Sequence, residues 1–143
     1  MTARPAPRAT SCWGLVLTAL ALLGSACGLA VQSPDLFLLT RTGGGAKLTL
    51  LINDSGTISC DGGAAKQLSD PLLLRARDLA AGLDTDAKAK LRIPPSKNSI
   101  YSYSVQLQDG SIRFPDTAAL EHPELAQAVS FALQVAQRSC GVS

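Results

Sequence analysis

Residues 100–110 read IYSYSVQLQDG, and this stretch decides the fold. In an extended chain Tyr101, Tyr103, Val105 and Leu107 point one way, while Ser102, Ser104, Gln106 and Gln108 point the other. Such alternation belongs to a strand with one face on a core and one face in water, as antiparallel sheets have. Asp109-Gly110 predicts a tight hairpin turn. Residues 111–114 then pair back, and Pro115 ends the strand because it has no N–H for the ladder.

Upstream, residues 35–41 (DLFLLTR) and 47–52 (KLTLLI) flank Gly43-Gly44-Gly45, the pattern of a second hairpin. Leu48, Leu50 and Ile52 share one face. Asn53-Asp54-Ser55-Gly56 is another turn signal, and residues 57–60 (TISC) complete a three-strand meander. Ser69-Asp70-Pro71 predicts a helix start. Leu72, Ala76, Leu79, Ala80 and Leu83 recur at helical spacing, with Arg75, Arg77 and Asp78 on the other faces and Gly82 as the predicted stop. The polar stretch that follows, to Ser99, holds Pro94-Pro95 and is expected to be the most mobile part of the domain. Downstream, Pro123 starts a final helix, closed by Gly141. Its expected inward stripe is Leu125, Ala128, Val129, Ala132, Leu133 and Ala136, widened by Phe131 and Val135. The order β-β-β-α-β-β-α predicts a single α+β domain over residues 35–143, with a small antiparallel sheet and both helices on one face.

The N-terminal residues are of another kind. Arg4 and Arg8 precede an unbroken apolar run, residues 13–23 (WGLVLTALALL), and Gly24-Ser25-Ala26 sets three small residues before Cys27. This is the pattern of a secretory signal over residues 1–26, followed by a tether over residues 27–34. Two other readings stay open. Cleavage after Ala26 or Ala30 would release a soluble protein, and the uncharged stretch of residues 9–34 is long enough to serve as an uncleaved anchor. Each places the domain outside the cytoplasm.

Export changes the chemistry of what remains. Of the formal net charge of +2, Arg4 and Arg8 supply the whole excess, so the domain is formally neutral and offers no basic stripe for nucleic acid. Lys88, Lys90, Arg92 and Lys97 cluster in the polar stretch and read as a solvated linker. Of the four cysteines, Cys12 and Cys27 fall in or beside the signal, leaving Cys60 and Cys140. In an oxidising compartment such a pair is expected to form a structural disulfide. By chain entropy, closing a loop of that length contributes roughly 4 to 5 kcal/mol.

Catalytic signatures are scarce. His122 is the single histidine, immediately before Pro123 at a helix start, and reads as an exposed or capping residue. The sequence has no G-x-S-x-G elbow. Asp84 and Asp86 lack the later ligands and the glycine of a calcium loop. Gly43-Gly44-Gly45 has no Gly-Lys-Ser/Thr after it, so no phosphate loop is expected, and neither is a metal or cofactor.

Two resemblances add to this. Leu22-Leu23-Gly24-Ser25-Ala26-Cys27 resembles the lipobox of bacterial lipoproteins, with Gly24 where Leu or Val is usual. That resemblance implies cleavage before Cys27, a diacylglycerol lipid on its thiol and attachment to the outer face of the cell membrane. The run LTRTGGGAKLTLLINDSGTI, a helix, YSYSVQLQDGSIRFPD and a closing helix are similar to the emfourin family of inhibitors of thermolysin-like metalloproteases. The export signal and the cysteine pair depart from that family. Together these imply an exported, lipid-anchored, non-catalytic binding protein of the bacterial envelope, with an extracellular protease as the specific partner. The alternative is an accessory envelope lipoprotein that holds another protein. Candidate binding loops are residues 43–45, 54–56 and 92–99.

Overall fold

The computed structural model describes residues 31–32 and 35–141. The expected signal, most of the tether and Cys27 lie outside the described residues. The chain forms one six-stranded antiparallel sheet and two helices, the α+β arrangement that the alternation predicts. Strands β1 (Asp35–Gly43), β2 (Ala46–Asn53) and β3 (Thr57–Cys60) make the meander. A short edge strand, β4 (Lys66–Gln67), follows, then helix α1 (Asp70–Lys88). The second hairpin is β5 (Tyr101–Leu107) and β6 (Gly110–Pro115), and helix α2 (Pro123–Val135) ends in a π-helical turn, Ala136–Cys140. The sheet order is β4-β3-β2-β1-β5-β6. The second hairpin therefore adds to the free side of β1 and puts the first strand inside the sheet.

The sheet's helix-facing side carries Phe37 and Leu39 of β1, Leu48, Leu50 and Ile52 of β2, Tyr103 and Val105 of β5, and Ile112 and Phe114 of β6, all buried. Phe37 meets Phe131 of α2 edge-on at 5.8 Å, and Tyr103 stacks on its cross-strand partner Phe114 at 5.4 Å. Aromatic contacts of these kinds add about 0.5–1.5 kcal/mol beyond area burial.

Four expectations need correcting. Helix α1 does not stop at Gly82 but runs to Lys88, because Leu83 and Ala87 continue the buried stripe of Leu72, Ala76 and Leu79. An exposed glycine in a helix costs only about 1 kcal/mol, less than burying one leucine returns. In α2 the expected stripe holds at Leu125, Ala128, Phe131, Ala132, Val135 and Ala136, all buried, but loses Leu133, which is 43% exposed. The hairpin turn is Gln108–Asp109 rather than Asp109-Gly110, since Gly110 already pairs with Leu107. Gly110 serves another purpose, as a Cβ there would sit 2.0 Å from the Ala87 carbonyl oxygen at the end of α1. The helix packs on the hairpin only because that atom is missing. The two exposed residues of β4 carry no apolar pattern, so the sequence gives no sign of that strand.

Cys60 and Cys140 are joined as a disulfide across a sequence separation of 80. The bridge ties the β3 edge of the sheet to the end of α2. Gly141, at φ 68°, caps the π-helical turn just beyond it. Lys66 donates to the Ser139 carbonyl at 3.0 Å and reinforces the same junction.

A hydroxyl-floored groove at the free edge of the sheet

On the side of the sheet turned away from the helices, Leu38 and Leu51 occupy one part and short polar side chains floor the part nearest the Gly43–Ala46 turn. Strand register aligns Thr49, Thr40, Ser104 and Arg113 in one row across β2, β1, β5 and β6, and Thr42, Ser102 and Pro115 in the next. Beyond β6, residues 91–93 add one more short rung. The Arg113 N–H donates to the Leu91 carbonyl and the Ile93 N–H donates to the Arg113 carbonyl, both at 2.9 Å. This rung makes a parallel bridge between Arg92 and Arg113. Pro94 and Pro95 stop the pairing, having no N–H to donate. The chain reaches the rung through Lys90, which leaves the helix at φ 54°.

Residues 92–95 thereby wall a groove of about 470 Å³ above Thr40, Thr42, Ser102 and Ser104. Ile93, Pro94, Pro95 and Pro115 make one side of it apolar, and Arg92 and Arg113 stand at its edge. Both arginines are exposed. Ion pairs among the described residues lie elsewhere: Arg77 with Asp54, Lys88 with Asp84 and Asp109, and His122 with Glu124. Beneath the floor, on the core side, burial pushes the Tyr103 phenol up, with Arg41 pulling it partly back.

The stretch expected to be mobile is anchored at both ends. Ser99 Oγ lies 3.1 Å from Thr117 Oγ1, and the Ser96 N–H donates to Ser99 Oγ at 2.9 Å. Asp116 accepts from the backbone N–H groups of Ile100 and Tyr101, each at 3.2 Å. Asp116 opens a 3₁₀ turn, Asp116–Leu120, whose tip puts Leu120 89% into solvent, while Ile100 is 67% exposed. A second hollow of about 350 Å³ lies between this turn and Ile93–Pro94.

Of the three candidate loops, the structure brings two together. The turn at residues 43–45 has φ of 60° at Gly44 and 77° at Gly45, which suits a two-residue hairpin. Gly43 approaches the chain after the 92–99 loop so closely that a Cβ would lie 2.2 Å from the Ile100 carbonyl oxygen. Arg41 sits over the Tyr101 ring at 5.2 Å on the same end of the sheet. The loop at 54–56 lies at the opposite end, where Arg77 holds Asp54 at 2.7 Å and the Leu68 N–H donates to the Gly56 carbonyl. His122 is the N-cap residue of α2, its Nδ1 3.5 Å from Glu124 Oε1. Among the described residues no three His, Cys, Asp or Glu side chains gather as a metal-binding group.

The Arg92–Arg113 pair was not legible in the sequence, because Arg92 reads as part of a solvated linker and nothing local links it to Arg113, twenty-one residues later. Leu120 was not legible either, for want of any pattern around it. Compared with protein-family models, curated proteins and solved structures, the chain shows no significant match, and the site stands on its own geometry.

Proposed function

We propose that the protein is an exported, lipid-anchored, non-catalytic binding protein of the bacterial envelope, and that it engages a partner protein through one end of its domain. The observation that supports this reading is the convergence of residues 43–45, 93–100 and 116–120 at that end. Two large apolar side chains, Ile100 and Leu120, stand in solvent there on backbone that is hydrogen-bonded from behind. Exposed apolar residues on a pinned frame bind with little ordering cost, which is what an inhibitor loop requires. The resemblance of the sequence pattern to the emfourin family is what suggests an extracellular protease as the partner class.

A panel of secreted metallo- and serine proteases, assayed with micromolar purified protein, tests it. Inhibition of one of them that falls at least tenfold in Leu120→Asp and Ile100→Asp is expected. No inhibition across the panel would overturn the inhibitor reading. Equal inhibition by wild type and both variants would overturn the choice of surface. Attachment is read separately, by metabolic labelling with a fatty-acid analogue: Cys27→Ser should lose the label.

A further inference from the structure

The paired arginines at the groove call for an explanation that protein docking does not supply. Arg92 and Arg113 are direct partners on neighbouring strands, so their side chains leave the sheet on the same face, about 5 Å apart at their bases. Like charges opposite one another in a sheet are destabilising unless an anion lies between them. The acids nearest Arg113 in sequence are engaged elsewhere, Asp116 with the backbone of Ile100 and Tyr101, and Asp109 with Lys88 at 3.9 Å, and neither arginine has an ion-pair partner among the described residues. Next in the row comes Ser104, then Thr40, and neither hydroxyl has a hydrogen-bond partner among the described residues. Arg92, Arg113 and Ser104 thus follow one another in a single row that lines the groove.

We propose that the groove takes a phosphate monoester, with the phosphate held between Arg92 and Arg113, Ser104 as a further donor, and the organic part lying along Ile93, Pro94 and Pro95. A phosphate fits this donor set better than a carboxylate does. Two forks and a hydroxyl can engage three oxygens of a tetrahedral dianion at once, whereas a planar carboxylate offers two oxygens and one charge. The charge of the dianion also matches the two cations. The apolar wall gives an aryl or alkyl ester an advantage over inorganic phosphate.

The test uses the full chain in non-ionic detergent, titrated with phenyl phosphate, inorganic phosphate and benzoate, with the backbone amide shifts of Ser104 and Arg113 as readout. Phenyl phosphate should saturate, bind at least tenfold tighter than benzoate, and bind tighter than inorganic phosphate. Arg92→Gln and Arg113→Gln should each weaken it about tenfold or more. Both side chains are exposed, so these variants should fold, and an unchanged melting temperature checks it. Arg138→Gln, an exposed arginine away from the groove, should change nothing. Phosphatidic acid in the micelle that competes with phenyl phosphate identifies a lipid headgroup, and absence of competition identifies a soluble ester; either upholds the proposal. No saturation by 10 mM, parity with benzoate, or equal loss in Arg138→Gln would overturn it, leaving the pair as charges that guard a sheet edge. None of these outcomes depends on protease binding.

Discussion

The two edges of the sheet are finished in different ways. On one side β3 and β4 are fastened to the helical layer by the Cys60–Cys140 bridge and by Lys66 on Ser139. Asp61 folds back to accept from the Thr49 N–H at 2.7 Å, while its own N–H donates to the Thr49 carbonyl at 2.8 Å. On the other side β6 meets a single rung at residues 91–93, held by two backbone hydrogen bonds, and then two prolines. A covalent bridge fixes one edge permanently, whereas two hydrogen bonds, each worth about 1 kcal/mol net, leave the other free to open locally. The groove, the arginine pair and the exposed apolar end all belong to the lightly fastened half. The covalent fastening lies at one edge, and the groove proposed to bind lies at the other.

The contrast is most directly broken at the bridge. Replacing both Cys60 and Cys140 by Ala should lower the unfolding free energy by roughly 4 kcal/mol, read as a fall in the urea midpoint. A fall under about 1 kcal/mol would mean that packing alone secures the β3 edge. At the opposite edge, Ile93→Pro removes one N–H from the ladder and should cost about 1 kcal/mol globally. Its sharper signature is local: the Arg113 amide should exchange faster with solvent while the Ile58 amide, deep in the sheet, keeps its protection. Equal acceleration at both would show that the two edges unfold as one unit.

The smallest effect concerns alkaline pH. Burial raises the folded-state value of the Tyr103 phenol above its ordinary 10.0, so the unfolded chain ionises first as pH climbs. The stability tied to keeping that phenol neutral is fully present below about pH 10 and is lost as pH rises through the raised folded value. Tyr103→Phe should therefore flatten the decline of the melting temperature above pH 10. Some slope should remain, because Asp84 raises the Lys88 value and acts with the same sign. An unchanged profile in Tyr103→Phe would show that the phenol ionises equally easily in both states.

Legibility followed the physical range of each signal. The β5 alternation could be read because every second side chain of Tyr101–Leu107 answers to the same core, a rule carried within seven residues. The three-glycine turn was equally local, since Gly44 and Gly45 both need positive φ. Gly82 misled because a glycine weakens a helix by less than the burial of Leu83 and Ala87 beyond it stabilises. Gly110 looked like a turn residue, yet what it accommodates is the carbonyl of Ala87, more than twenty residues earlier. In α2, Leu133 was as apolar as Phe131 and Val135, and only the packing of Phe131 on Phe37 across the interface left Leu133 in solvent.

By itself the sequence determined both helices, five of the six strands, their order and the α+β class, because strand alternation, helical spacing and turn chemistry act over a few neighbouring residues. It also marked Cys60 and Cys140 as the two cysteines of the domain and residues 1–26 as a segment of another kind. Only the tertiary structure decided that β5 lies beside β1, that residues 91–93 return to β6, and hence that Arg92 faces Arg113 over a floor of hydroxyls. Those neighbours are separated by tens of residues along the chain, and nothing short of the packed sheet brings them together.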